Sequence, residues 1–383
     1  MLLFQATSFA RADDDKRKSD ATVTLQNPVE ITINDSFISP LVERFGEISL
    51  GQDVFIAGNT VLRADPGTKI CIGSKTNMQD NVLFLALRNL PAPPTRCGKV
   101  SSRVKDEVSI AHQAVIQNSS IGNFTFIGFR ARLDNVVLGD GAFVLHGARL
   151  SNVRIGKNRL VPIGAEITTQ AAADALPLKT DAESEFQREV LEVNEEFAEH
   201  YSELFEEQGF DAVTGISPAP KTSFNPEQKK PTLGKNVQIE PFARLVGDVR
   251  VGDNSTIGRR TSIRADEGTP IEIGENAEIE DRVTFHALKG TSIKIGKNLS
   301  TEDNIVFHGP LEVGDGLTID DDAVLFRSKV GDNVTILTGA LVVGVTLRDG
   351  VVVPKNAVIT KQEQADKLQV GPDPELRGRN RGL

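Results

Sequence analysis

Aliphatic residues followed by glycine punctuate the chain at Ile121-Gly122, Leu138-Gly139 and Ile155-Gly156, and again at Ile295-Gly296, Val313-Gly314 and Val330-Gly331. The spacing is 17 or 18 residues. Repeats of this kind predict a β-helix: three short sides of about six residues form one coil, aliphatic side chains stack into a continuous core, and glycine or asparagine takes the turns. One stretch breaks the pattern. Over residues 182–210, Phe186, Val190, Val193, Phe197, Tyr201 and Leu204 recur at helical spacing in an acidic background, with Gly209 as a stop. This predicts an amphipathic helix whose apolar stripe packs on a side of the first β-helix, or else faces a partner helix.

The pattern occurs twice. Leu62-Arg63-Ala64-Asp65-Pro66-Gly67-Thr68 reads against Ile263-Arg264-Ala265-Asp266-Glu267-Gly268-Thr269, and Met78-Gln79-Asp80-Asn81-Val82 against Ile279-Glu280-Asp281-Arg282-Val283, at a constant offset of 201. Later matches shift to an offset of about 192, which places an insertion of roughly ten residues in the first copy, in the loop-like stretch from Arg88 to Lys105. The expected architecture is all-β dominated, with two parallel β-helices in tandem and an α-helix closing the first. The boundaries read as an N-terminal arm over 1–29, a first β-helix over 30–181, the helix over 182–210, a linker over 211–230, a second β-helix over 231–368 and a tail over 369–383.

Composition narrows the function classes. A net charge of −10 on 383 residues argues against nucleic acid or an anionic membrane as partner, and no segment is long enough to span a bilayer. Cys71 and Cys97 are either a disulfide pinning the inserted loop or two independent thiols. The opening Met1-Leu2-Leu3-Phe4 with Ala10-Arg11-Ala12 resembles the tail of an export signal, with a short apolar region and no basic start. Export is one expectation and a cytoplasmic location the other.

The chemical residues fall into blocks: Arg264-Ala265-Asp266-Glu267-Gly268, Gln79-Asp80, His286-Ala287-Leu288, Ser109-Ile110-Ala111-His112-Gln113 and His308-Gly309-Pro310. With these blocks both copies resemble γ-class carbonic anhydrases, including the related domain of the carboxysome scaffold protein. The resemblance implies a left-handed β-helix of the hexapeptide-repeat type, oligomeric assembly, and a zinc ion held by three histidines from two neighbouring subunits. Carried over by position, the first histidine of that set falls on His286 but on Leu85 in the first copy. The middle one falls on His112 but on Asp303 in the second, and the last on His308 but on Gln117 in the first. Each copy alone is a broken site. The resemblance further assigns catalytic roles to Glu267 (Pro66 in the first copy), to Gln79 and Asn77 (Glu280 and Glu278 in the second), and to Asn194 on the closing helix. It assigns subunit contacts to the pairs Arg63 with Asp65 and Arg264 with Asp266. Lys289 stands where the family has an exposed proton-shuttling glutamate.

Counting along the coils explains the division. Glu267 and His286 lie 19 residues apart, about one coil, and so share a face with His308, while Gln79 and His112 occupy the other kind of face. The first copy keeps one face of the site and the second copy the opposite face. If the two faces meet, the whole zinc set is rebuilt, with CO2 and bicarbonate as substrate and product. Iron or cobalt suits the same imidazole set. A ring of three cannot alternate two kinds of copy, so direct docking within the chain, a mixed homo-oligomer or a γ-type partner subunit is required. The rival reading is a degenerate, metal-free scaffold or assembly subunit. A hexapeptide acyltransferase is disfavoured, because the blocks extend beyond the repeat itself. His146 and His200, without ligand partners at suitable spacing, read as structural or solvated.

Overall fold

The computed structural model describes residues 32–93 except 34, residue 97, and residues 101–371. It contains two left-handed parallel β-helices in tandem. In the first repeat the coils lay down sheets of eight, six and seven strands, and in the second sheets of eight, seven and seven. Strands are short, commonly two to four residues, because each coil turns a corner after every side. Asparagine takes many of those corners in the left-handed region, as at Asn59, Asn135, Asn236, Asn254, Asn276 and Asn298. Its short polar side chain tolerates that conformation and bonds to the next corner, Asn236 to Asn254 at 3.0 Å and Asn276 to Asn298 at 3.1 Å. Inward aliphatic residues form one long core per repeat, running from Ile38 to Ile167 and from Leu245 to Ile359.

The two repeats dock on each other. The eight-stranded sheet of the first, from Thr32–Ile33 to Leu160–Val161, faces the eight-stranded sheet of the second, from Ile216–Ser217 to Val358–Ile359. Gln113 Nε2 donates across the seam to the carbonyls of Arg282 (2.7 Å) and Ile305 (3.0 Å), and Arg130 pairs with Asp322 at 2.5 Å. At one end Ala111, Phe126, Phe129 and Phe143 pack on Val306, Val324, Phe326 and Leu341. Side chains of the second repeat press so close on the first repeat's backbone there that a Cβ on Gly147 would lie 2.4 Å from the Leu341 side chain and one on Gly164 2.7 Å from that of Val358; both glycines also have positive φ.

Three helices complete the described residues: α1 (Gln170–Asp174), α2 (Asp181–Gln208) and α3 (Gln362–Ala365). The capping box of Thr180 and Glu183 starts α2, and Gly209, at φ +81°, ends it. Gln187, buried on its inner face, anchors it to the carbonyls of Glu107 and Thr125 in the first repeat. Further along, Phe197, Tyr201 and Leu204 pack with Phe37 and Phe55 of the first repeat and Val246 of the second, so the helix closes both repeats rather than one. No described helix is long and apolar enough to cross a membrane.

Three boundaries need correction. Ile216–Ser217, expected in the linker, pairs with Leu245–Val246 as the first strand of the second docking sheet. The remaining linker is also fixed in place: Ala219, Thr222 and Asn225 are buried, and the Asn225 side chain bonds the Pro220 carbonyl. At the inserted loop, Ser101–Val104 is a strand between Lys69–Ile72 and Ser120–Ile121, because its backbone completes the ladder of a coil. A disulfide joins Cys71 on that sheet to Cys97 in the loop. The N-terminal arm over 1–29 and the tail beyond Gly371 lie outside the described residues.

Candidate metal centre

Two columns of side chains meet at the seam. On the second repeat, Arg264, His286, His308 and Phe326 occupy one register position in four successive strands. On the first repeat the registers Asn77↔Ser109↔Phe126↔Phe143 extend to align Asp80, His112, Phe129 and His146. Asp80 faces Arg264, and His112 faces His286 and His308. Nitrogens of His112, His286 and His308, all buried, lie within 4.8 Å of one another. The three residues that the sequence divided between the repeats are therefore together in one chain.

The hydrogen-bonding partners of each ring decide what it can do. His286 Nε2 is hydrogen-bonded to Asp266 Oδ1 at 3.1 Å and stands 3.3 Å from Glu267 Oε1, while His112 Nδ1 stands 3.3 Å from Asp80 Oδ2, at ion-pair distance but without hydrogen-bond geometry. Carboxylates only accept, so they draw the ring proton to these outer nitrogens. The inner nitrogens, His112 Nε2 and His286 Nδ1, face each other at 3.3 Å, and with the ring protons on the outer nitrogens both present lone pairs. Such a pair repels unless a cation sits between, and carboxylate-braced imidazoles are the usual second shell of a metal-bound histidine. Burial keeps His112 and His308 neutral, lowering His112 to about 4 and pushing His308 well below its ordinary range. His308 Nδ1 faces only the Gly309 carbonyl, at 3.4 Å. Three imidazoles with a remaining open side fit a zinc-type centre, and the set opens into a cavity of about 650 Å³. Ala111, Phe126, Phe186 and Leu288 form its apolar wall.

Arg264 ties the braces together. Its guanidinium donates to Asp80 Oδ2 (2.9 Å), to Asp266 Oδ2 and to Gln79 Oε1 (2.9 Å). Ser262 Oγ donates to the other oxygen of Asp80, and Tyr201 Oη on α2 donates to Asp266, both at 2.7 Å. Burial alone would raise the two aspartates, but Arg264 and these donors hold both well below the usual carboxylate range. Glu267 has no such guanidinium contact, and burial pushes it up to about 7. Gln79 is fixed at both ends, since its Nε2 donates to Asn194 Oδ1 on α2 at 2.7 Å.

Family profiles described as "Bacterial transferase hexapeptide (six repeats)" and "Hexapeptide repeat of succinyl-transferase" match residues 230–265 and 329–361. A "Carbonic anhydrase" from Methanosarcina thermophila is 34% identical over 177 residues, covering 41% of this chain and 72% of that protein. The chain belongs to the γ-class carbonic anhydrase family. It is also 36% identical over 160 residues to "Carboxysome assembly protein CcmM" of Nostoc sp., and 35% identical over 103 residues to "Gamma carbonic anhydrase 1, mitochondrial" of Arabidopsis thaliana. These matches cover 39% and 26% of this chain, but only 29% and 35% of those proteins' own lengths.

The other γ-type positions separate into two groups. Glu267, Gln79 and Asn194 line the cavity with the histidines. Asn77 stands behind Gln79, bonded to Ser109 Oγ at 2.9 Å. Arg63 and Asp65, expected at a subunit interface like Arg264 and Asp266, pair with each other at 2.9 Å on a different sheet of the first repeat, with the Arg63 side chain 55% exposed. Leu85 and Gln117 share that sheet, which is why the first repeat lacks these histidines without harm to the centre. Glu278 likewise lies on a sheet of the second repeat away from the seam. Lys289 rests its ammonium over Phe224 of the interrepeat segment, 5.0 Å from the ring centre. Sequence reasoning missed Asp80 as a brace, though it stood in the repeat match opposite Asp281, and missed Tyr201 and Phe129. The single tyrosine on the apolar stripe and the 17-residue step from His112 to Phe129 were the available signals.

Proposed function

We propose that this chain catalyses the reversible hydration of CO2 to bicarbonate at a metal centre held by His112 from the first repeat and His286 and His308 from the second. The observation that carries the reading is the convergence of His112, His286 and His308 nitrogens within 4.8 Å of one another, with carboxylates beside the outer nitrogens of His112 and His286. When bound, zinc supplies a Lewis acid that brings the ionisation of water to near neutral pH. Around it, the apolar wall of Phe126 and Leu288 suits uncharged CO2 and limits the water near it. Glu267, raised to about 7, holds or releases a proton in the working range, as a general acid–base group must. Gln79, with its amide held by Arg264, Asn194 and, at 3.5 Å, Asn77, sets the polar edge of the cavity beside the histidines and so positions substrate or product.

Elemental analysis of metal-supplemented protein, beside a stopped-flow CO2 hydration assay, tests this. About one zinc per chain is expected, with loss of both metal and hydration in His112→Ala and in His286→Ala, residues of different repeats. Absence of bound metal and of hydration in the parent protein would instead favour an assembly role, the reading supported by the likeness to the carboxysome assembly protein.

A further inference from the structure

Of the three histidines, His308 has the weakest hydrogen-bonded brace. His112 and His286 each face a buried carboxylate that is itself held by Arg264, whereas His308 has only the long contact to the Gly309 carbonyl. What limits its ring is stacking. Phe129 lies against it with centroids 4.6 Å apart and planes 24° apart, and Phe129 also stacks on His146 at 4.3 Å and 13° and, more distantly, on His112 at 5.6 Å and 28°. Three flat rings from both repeats thus form one stack across the seam. Phe326 meets all three edge-on, at 5.4 Å from Phe129, 5.1 Å from His146 and 5.3 Å from His308. His146 also accepts the Phe129 backbone N–H on Nδ1 at 3.1 Å, so it fixes both the main chain and the ring of Phe129. It is buried and does not line the cavity.

We infer that His146 is a positioning residue for the metal centre, acting through Phe129 to set the ring orientation of His308. This rests on the proposed metal-binding role of His308, but its mechanical part does not need the metal. A phenylalanine at 146 could supply the stack but not the acceptor, and an amide could accept but not stack; imidazole does both. The acceptor role requires a neutral ring, and burial, with Arg327 nearby, lowers His146 to about 3.

The test compares the full-length parent, His146→Ala and His146→Phe. In the metal-free proteins, imidazole 15N resonances of His308 should shift in His146→Ala while those of His286 stay. With cobalt(II) added, the visible absorption bands should move, and zinc affinity should fall roughly tenfold, the lower end of what losing an outer-sphere partner costs. His146→Phe, which keeps a ring in the stack, should show smaller changes of the same kind, and it carries the comparison if the alanine variant does not fold. Unchanged His308 resonances together with zinc affinity within about twofold of the parent would overturn the inference. Failure of the parent to bind zinc or cobalt would sink the proposed function instead, and the metal-free resonances would still decide the role of His146.

Discussion

Replacing Arg264 with methionine would leave Asp80 and Asp266 buried on opposite sides of the seam without the cation that holds both ionised. Removing one partner of a buried ion pair generally costs about 3–5 kcal/mol, because the charge left behind is neither solvated nor paired. Arg264→Met should destabilise the protein by that order in urea unfolding and release the metal as well, since both aspartates brace histidines. Loss of stability without loss of metal would show that the braces work independently of Arg264. Protonation works at the same scale. Burial lowers His112 to about 4 and His146 to about 3, whereas free imidazole titrates near 6.5. Between those values the unfolded metal-free chain binds more protons than the folded one, so stability is fully present above pH 6.5 and declines as pH falls toward about 4 and then 3. Glu267, raised to about 7, acts in the opposite sense over the same window, but it is one carboxyl against the three lowered imidazoles of His112, His146 and His308, so urea midpoints of the metal-free protein should still fall from about pH 7 to pH 5, and less steeply in His146→Phe. A flat profile would contradict the buried, neutral assignment of these rings.

At the scale of elements, α2 shows how far a hydrophobic pattern reaches. Its stripe of Val193, Phe197, Tyr201 and Leu204 gave its position to within a turn, because a periodic apolar face must be buried somewhere. Which surface buries it was not legible, since the second repeat reaches the helix through residues over forty positions later, such as Asp266 and Val246. The interrepeat segment was misread for a related reason: its Pro, Ser and Asn composition resembles a loop, yet tertiary bonds such as Glu196 to Ser223 at 2.8 Å hold it down. Tyr201→Phe isolates the cross-repeat contact of α2. It should keep the ring packing on Phe37 at 5.1 Å while removing the hydrogen bond to Asp266. A bond to a charged group contributes about 1.5–3 kcal/mol, so that loss should be seen in unfolding with the helix content by circular dichroism unchanged. A neutral effect would mean that water takes the place of the hydroxyl beside Asp266.

For the whole molecule, counting coils was enough to divide the site. Steps of 17 to 22 residues bring His112, Phe129 and His146 into one column and His286 and His308 into another, and each column belongs to a single repeat. The same counting could not say whether those columns meet within one chain or between chains, because both repeats offer both kinds of face. The decision lies in close contacts that no periodicity encodes, such as Gly147 under Leu341 and Arg130 on Asp322. The consequence can be measured. A site assembled from separate subunits obeys mass action and is lost on dilution, whereas one whose halves are covalently joined is not. Zinc content and hydration rate per chain should therefore stay constant as the protein is diluted from about ten micromolar to ten nanomolar, at whatever oligomeric state light scattering or sedimentation then reports. A rate per chain that falls in step with subunit dissociation would show instead that the working His112 and His286 come from different chains.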